Sequence, residues 1–394
     1  MAFDFTVRPE VEDWRARIET FVDERVVPVE QQAFENGVDD ELRRSLQATA
    51  KQAGVWAPQA SAEYGGGGFR FDEVAILLEE AGRSLLGPLA LNCAAPDEGN
   101  IHLLATVASE AQHDRFLRPL VDGDVRSCFA MTEPAPGAGS DPSALRTHAR
   151  RVDGGWVVNG EKHLITGADG AAFCILMARG GGAGDDGATL FLVDTDADGF
   201  TVAEHARTLD AATVGGHCRI LIDELFVPDD QVLGEPGRGF AYAQVRLAPA
   251  RMTHCMRWLG AARRAHEISL DRAVNRSLFG SPLAELGQAQ AMIADNEIDL
   301  AASRALLWQT CWQLTSGIKG TEESSRAKVF ISEAVGRIVD RSVQLAGGLG
   351  TSEELVIGRI YGDIRAFRIY DGSSETHRMS IAKRAARRAQ QRRA

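Results

Sequence analysis

Apolar residues recur at steps of three and four near the start of the chain. Val11, Trp14, Ile18 and Phe21 fall on one stripe, so residues 10–27 are expected to form an amphipathic helix that Pro28 can stop. Further helical stretches follow to about residue 125. From about Ser127 the rhythm changes. Residues 174–177, 190–193 and 220–227 are short apolar runs between Gly- and Asp-rich turns, and they read as strands. Residues 180–187 (GGGAGDDG) read as a flexible surface connection between two of them. After about Gly239 the helical period returns over longer stretches. Ile298, Ala301, Ala305, Trp308 and Trp312 form one expected core stripe. Phe330, Ala334 and Ile338 form another, with Ile331, Val335 and Val339 beside it. Long helices of this kind pack into a bundle. The pattern gives an α+β chain in three parts: helical over 1–126, a small β domain over 127–238, and a helical bundle over 239–394.

A length of 394 residues is enough for two or three domains around a sizeable core. Hydrophobic content of 44% and charged content of 25% are those of a soluble globular protein. The net charge of -12 argues against a polyanionic partner such as nucleic acid. The last twelve residues carry six positive charges and look like a fraying helical end. That end is the only feature favouring a DNA-associated reading. The opening MAFDFTVRPEVEDW has no basic stretch followed by an apolar one, so no signal peptide is expected. The longest apolar runs, such as residues 171–178, are too short to span a membrane. Six scattered cysteines, without a CxxC pair, fit buried free thiols in a reducing, cytoplasmic setting and no metal site.

Glycines cluster at 65–68 and 347–350, but neither cluster follows a strand as G-x-G-x-x-G or precedes a P-loop lysine. Pattern and composition therefore stop short of a reaction.

Five motifs take the reading further. They are residues 131–134 (MTEP) with 137–141 (GAGSD), 160–166 (GEKHLIT), Arg276 with Phe279 and Gly280, 344–350 (QLAGGLG), and 369–375 (IYDGSSE). In order and spacing the set resembles the acyl-CoA dehydrogenases, over essentially the whole chain. Residues 92–100 (NCAAPDEGN) and 126–134 (RSCFAMTEP) look like the branch fused to a kinase-like domain in vertebrates.

The resemblance implies an N-terminal α-helical domain, a middle β domain and a C-terminal four-helix bundle, assembled as a homo-oligomer, dimer or tetramer. It implies FAD between β domain and bundle, an acyl-CoA substrate, and electron-transfer flavoprotein as the oxidant. The implied reaction removes an α-proton to a base and passes a hydride from the β-carbon to flavin N5. The oxygen of the thioester then gathers charge that the site must stabilise, a role the resemblance gives to the backbone N–H of the base residue and a ribityl hydroxyl of FAD.

Asp371 stands where most members carry a glutamate base. Some members carry the base on an earlier helix, just before an arginine. Arg251 marks that arginine, but Ala250 precedes it and cannot titrate. Arg251, Tyr370 and Gly372 are the implied substrate contacts. Thr132, Ser140, Ile165, Thr166, Arg276, Phe279, Gln344, Gly347, Gly348, Ser373 and Glu375 are the implied FAD contacts, with Arg276 and Phe279 reaching a neighbouring subunit's cofactor. Three departures stand out. Residues 132–140 are two longer than the common form, Leu164 replaces a tryptophan, and Leu278 replaces a hydroxyl residue. Aspartate as base also occurs in relatives that oxidise nitroalkanes, so an oxidase of nitroalkanes or acyl-CoAs is the competing reading. A non-catalytic partner subunit is the third. That reading predicts lost FAD residues, whereas Arg276, Gln344 and both glycines are present.

Overall fold

Helix, sheet and helix follow one another in the computed structural model, which describes residues 6–181, 187–210 and 213–392. The main helices of the first part are α1 (Pro9–Phe21), α2 (Glu30–Asn36), α3 (Asp40–Gln52), α4 (Phe71–Ala81) and α5 (Asp97–Val107). Asp39 caps α3 by accepting from the Leu42 amide at 2.9 Å, which satisfies one orphan donor of the first turn. The expected stop at Pro28 is not seen. Beyond Phe21 the chain stays helical through a wider π turn, Val22–Val26, and a tight turn, Val27–Val29. Pro28 lies at the start of that tight turn, where a missing N–H costs nothing.

Eight strands build one sheet: β1 (Ser127–Ala130), β2 (His148–Val152), β3 (Gly155–Thr166), β4 (Phe173–Arg179), β5 (Ala188–Asp194), β6 (Phe200–His205), β7 (His217–Pro228) and β8 (Val232–Leu233). The order is β6-β7-β3-β2-β4-β5-β8, with β1 pairing parallel to β4. The three apolar runs are strands β4, β5 and β7, as their patterning predicts. Of the glycine-rich connection before β5, residues 182–186 lie outside the described residues. Strand β4 is buried on both faces, which explains its unbroken apolar run. Phe173, Ile175 and Met177 join the core shared with the helices, while Cys174, Leu176 and Ala178 join a second core inside the β part.

The last part holds α6 (Gly239–Asn275), α7 (Gly287–Thr315), α8 (Thr321–Ala346), α9 (Ile357–Ile364) and α10 (Ser374–Gln391). Helices α6, α7 and α8 pack together, and α10 lies against α8. Helix α4 crosses α6 with its backbone almost in contact. A Cβ on Gly260 would sit 2.0 Å from the Glu79 carbonyl, and one on Gly82 would sit 2.1 Å from the Arg257 carbonyl. This close approach fixes α6 against the first part.

The stripe expected on α8 is largely interior: Ile331, Ala334, Val335, Ile338 and Val339 are buried, while Phe330 is at the surface. The stripe expected on α7 faces the other way. Ile298 is 63% exposed, Ala301 and Ala305 are exposed, and the two tryptophans are half-buried. Leu300 and Leu307 point inward beside small polar residues, Asn296, Ser303 and Thr310. Asn296 bonds His266 and Arg341 from other helices. Apolar residues occur on both sides of α7, so periodicity alone could not say which side is the core. All six cysteines are buried free thiols.

Candidate active site

Helix α6 supplies one wall of the site. Arg251, His254, Arg257 and Trp258 are spaced three and four apart, so they share a face. The loop before α10 meets that face. Its residue Asp371 has a left-handed backbone, φ 53°. The Asp371 carbonyl accepts from Arg251 Nε at 3.0 Å and from His377 Nε2 at 3.1 Å. The next carbonyl, of Gly372, accepts from Lys328 Nζ at 2.7 Å. Gly372 has φ 94°, and a Cβ there would lie 2.7 Å from His377 Nε2. Three helices, α6, α8 and α10, therefore hold the turn that carries Asp371. Ser373, not Asp371, caps α10, accepting from the Thr376 amide.

The carboxylate itself is treated differently from its backbone. Asp371 Oδ2 is buried and has no hydrogen-bond partner. Nη1 of Arg251 is also buried without one. Polar atoms left bare in an interior carry a desolvation cost and point to a missing partner. Tyr370 is half-buried, bonds Trp258 through its hydroxyl, and packs on His254 with ring centroids 4.7 Å apart.

The surroundings are rich in buried cations. Arg246, Arg251 and Arg257 on α6 and Lys328 on α8 are all buried. The nearby carboxylates are the half-buried Asp371 and the buried Glu98. Burial pushes Lys328 down to about 8, although Asp371 partly opposes it. Burial likewise lowers Arg246 and Arg251. Burial pushes the Glu98 carboxyl up, with Arg257 and Thr253 opposing and Asp371 adding to it. Low dielectric disfavours every isolated charge, so this cluster gains from an anion placed among it.

Glu98 and Thr253 also line a cavity of about 420 Å³ between α5, α6 and residues 59–71. Gln59, Tyr64, Phe69, Ile101 and Pro249 contribute to its walls. Glu98 in the cavity wall lies 3.5 Å from Arg257, whose Nη2 lies 3.0 Å from His254 Nδ1.

The expected cofactor residues gather at the sheet's exposed end and on the far side of the bundle. Thr132 follows β1 and donates to the His163 carbonyl at 2.7 Å. Ile165 is buried and Thr166 ends β3, its hydroxyl 3.0 Å from His217 Nδ1. His217 Nε2 lies 2.7 Å from Asp210, whose carboxyl is held at about 2: burial opposes this, and the bonds from His217 and Thr208 overcome it. Leu164 is half-exposed with φ 56°. Ser140 lies exposed at the end of the longer loop. That loop turns around Glu133, which accepts from the Ala138, Arg146 and Thr147 amides and from Lys162 Nζ at 2.9 Å.

Arg276 ends α6 and is exposed, and Phe279, at the tip of the hairpin pairing Ser277–Leu278 with Ser281–Pro282, is 97% exposed. Gln344, Gly347 and Gly348 are exposed at the end of α8, and no atom lies within 4 Å of a Cβ on either glycine. Glu375 is exposed in the first turn of α10. Arg276, Phe279, Gln344 and the glycines thus face away from their own chain, and Asp371, Tyr370, Gly372 and Arg251 come together.

The family models for the acyl-CoA dehydrogenase N-terminal, middle and C-terminal domains match residues 8–124, 128–224 and 237–386. The chain belongs to the acyl-CoA dehydrogenase family. It is thus an oxidoreductase by family. A probable acyl-CoA dehydrogenase of Mycobacterium tuberculosis is 36% identical over 96% of both chains. Acyl-CoA dehydrogenase family member 11 of Rattus norvegicus is 31% identical over 93% of this chain, which spans 49% of that protein's length. A glutaryl-CoA dehydrogenase of Mycobacterium smegmatis, solved in complex with FADH2, superposes with a TM-score of 0.86 at 25% identity, covering 96% of this chain and 95% of that one.

Sequence reasoning missed His254, Arg257, Lys328, Glu98 and His377. The signal available was the polar residues at 251, 254 and 257, spaced three apart within the apolar middle of α6. Lys328 and His377 carried no such mark, because they reach the loop from other helices.

Proposed function

We propose that the protein oxidises an acyl-CoA thioester to the trans-2-enoyl-CoA, with Asp371 as the base that takes the α-proton. The observation that carries this reading is the buried Oδ2 of Asp371, bare of any partner while its own carbonyl is held by two donors. A base needs a free lone pair at a fixed position, and this turn supplies both. The acyl chain enters the cavity walled by Glu98, Ile101 and Thr253. Charge that develops on the thioester oxygen is met by the Asp371 backbone N–H and by the buried cations of α6 and α8. Tyr370 and Trp258, bonded to each other, form an aromatic wall beside the base.

The cofactor is FAD, which when bound supplies the hydride acceptor. The residues fit it: Thr132 and Thr166 offer hydroxyls at the ends of β1 and β3, and the half-exposed Leu164 offers an apolar surface beside them. Ser140, Ser373 and Glu375 would hold its polar end. Arg276, Phe279, Gln344, Gly347 and Gly348 serve a neighbouring subunit, consistent with their outward placement. That makes the working form a homo-oligomer, dimer or tetramer. We assign the protein to the cytoplasm, in keeping with six free thiols, and its oxidant to electron-transfer flavoprotein.

The test is anaerobic titration of the FAD-loaded protein with butyryl-, octanoyl-, palmitoyl- and isobutyryl-CoA. Bleaching of the flavin by one of them, abolished in Asp371→Asn, is the expected result. Bleaching that survives in Asp371→Asn would refute the base. Aspartate in place of glutamate also keeps an oxidase reading open, on nitroalkanes or acyl-CoAs. Reoxidation of the reduced protein by air at the turnover rate would decide for it.

A further inference from the structure

His254 Nε2 lies within 3.4 Å of the free oxygen of Asp371. The His254 ring is largely enclosed, packed on Tyr370 and, at 6.0 Å between centroids, on Phe367. Arg257 Nη2 lies 3.0 Å from His254 Nδ1. A guanidinium has only N–H groups, so Nδ1 must be the acceptor and carry no proton. Burial first, then Arg257, Arg246 and Lys328, push the imidazole well below its ordinary range. The ring is therefore neutral with its single proton on Nε2.

Nε2 stands 3.4 Å from Asp371 Oδ2, within reach but not aligned, so Oδ2 is left without a hydrogen bond. A small turn of the ring or the carboxylate makes one, and such contacts tighten and align when substrate fills a site. Arg257 is itself fixed. Its Nη1 donates to the Cys93 carbonyl at 2.7 Å and lies 3.5 Å from Glu98. Glu98 accepts from Thr253 at 2.7 Å and lines the cavity. An ordered chain, Glu98–Arg257–His254–Asp371, thus leads from the cavity wall to the carboxylate.

We propose that His254, locked by Arg257 as an Nε2–H donor, is a positioning residue that orients the Asp371 carboxylate for α-proton removal. This inference rests on Asp371 being the base. Aspartate is one methylene shorter than glutamate and has less of its own reach, so an outside group must set its angle. In the locked tautomer His254 cannot take the proton. The α C–H bond breaks, its electron pair stays on the acyl group, and the new O–H bond forms on Asp371. The groups facing the pair are Arg246, Arg251 and Arg257 from α6, Lys328 from α8, Glu98 from α5 and His377 from α10.

Two experiments test it on the full chain. The first is ¹⁵N NMR of the histidine-labelled protein at pH 7, without cofactor or substrate. His254 should show a bare Nδ1 and a protonated Nε2, and Arg257→Leu should release a mixture of tautomers. An imidazolium, or a proton on Nδ1, overturns the proposal. The second measures flavin reduction in the FAD-loaded protein by whichever of the four acyl-CoAs bleaches it. His254→Leu should slow reduction at least tenfold, leave the acyl-CoA Kd unchanged and raise the α-deuterium isotope effect. His254→Gln, which returns an N–H, should recover most of the rate. Equal loss in both variants, or loss of Kd and FAD retention in place of rate, means a structural role and overturns it. Failure of the base assignment is read separately, from Asp371→Asn retaining wild-type reduction.

Discussion

Gly372→Ala tests whether the base loop is as tightly determined as its contacts indicate. The backbone at 372 has φ 94°, a region that costs a residue with a Cβ about 1–2 kcal/mol. The new methyl would lie 2.7 Å from His377 Nε2, whereas ordinary contact begins at 3.4 Å, a deficit of 0.7 Å. His377 is buried and holds two partners, Ser325 and the Asp371 carbonyl, so its ring has little room to retreat. The loop must give, and the base moves with it. A misplacement approaching 1 Å can cost about 100-fold in rate, so flavin reduction should slow roughly 10- to 100-fold. Stopped-flow bleaching by the reactive acyl-CoA measures the rate, and bound FAD is quantified beside it. The cause is checked by a double-mutant cycle with His377→Ala, which removes the obstructing ring. If the clash is the reason, the double variant is faster than Gly372→Ala alone. Simple addition of the two losses, or a single variant within threefold of wild type, would refute the reasoning.

Three further predictions concern stability and assembly. Glu133→Gln strands the fully buried Lys162 without its carboxylate; breaking such a pair costs about 3–5 kcal/mol, so chemical denaturation should show a large loss and FAD retention should weaken. Equal stability of the variant would mean that Lys162 is neutral in the fold. Burial holds His377 at about 4 against an ordinary 6.5, so between those values the unfolded chain binds a proton that the folded chain does not. Stability should therefore fall as pH drops from about 6.5 towards 4, and His377→Phe should flatten that slope in thermal melts; an unchanged slope rejects His377 as a contributor. Ile298→Asp places a charge on the exposed apolar side of α7, and light scattering should show a smaller particle if that side is covered by a second copy.

The three-part architecture was legible because a stretch of short apolar runs interrupts the helical period once, between about residues 127 and 238. Runs at 174–177 and 190–193 are unbroken because both of their faces are buried. The α7 side assignment was not legible. Its interior side uses Asn296, Ser303 and Thr310, which polarity alone sends outward, and only the bonds to His266 and Arg341 reveal them as interior. The end of α1 misled for a related reason: proline stops a helix in mid-course but is tolerated at the start of a new turn, and sequence does not say which applies. In the site, the motif at 369–375 pointed to Asp371 and the spacing to Arg276 pointed to Arg251, and the fold brings these two expected residues together. Lys328 and Glu98 come from distant helices, and only folding puts them near the same carboxylate.

The left-handed backbone at Asp371 limits which acid can stand there. Aspartate, like asparagine, enters that conformation more readily than longer side chains, because its short polar group can bond locally. A glutamate at 371 would add reach but would also ask the turn to bend in a way its backbone resists. Replacing Asp371 by glutamate is therefore a change of chain path as well as of side-chain length. The turn acts as a selector, so enlarging the pocket for a bulkier acyl group requires reshaping residues 369–373 before any gain in reach can be used.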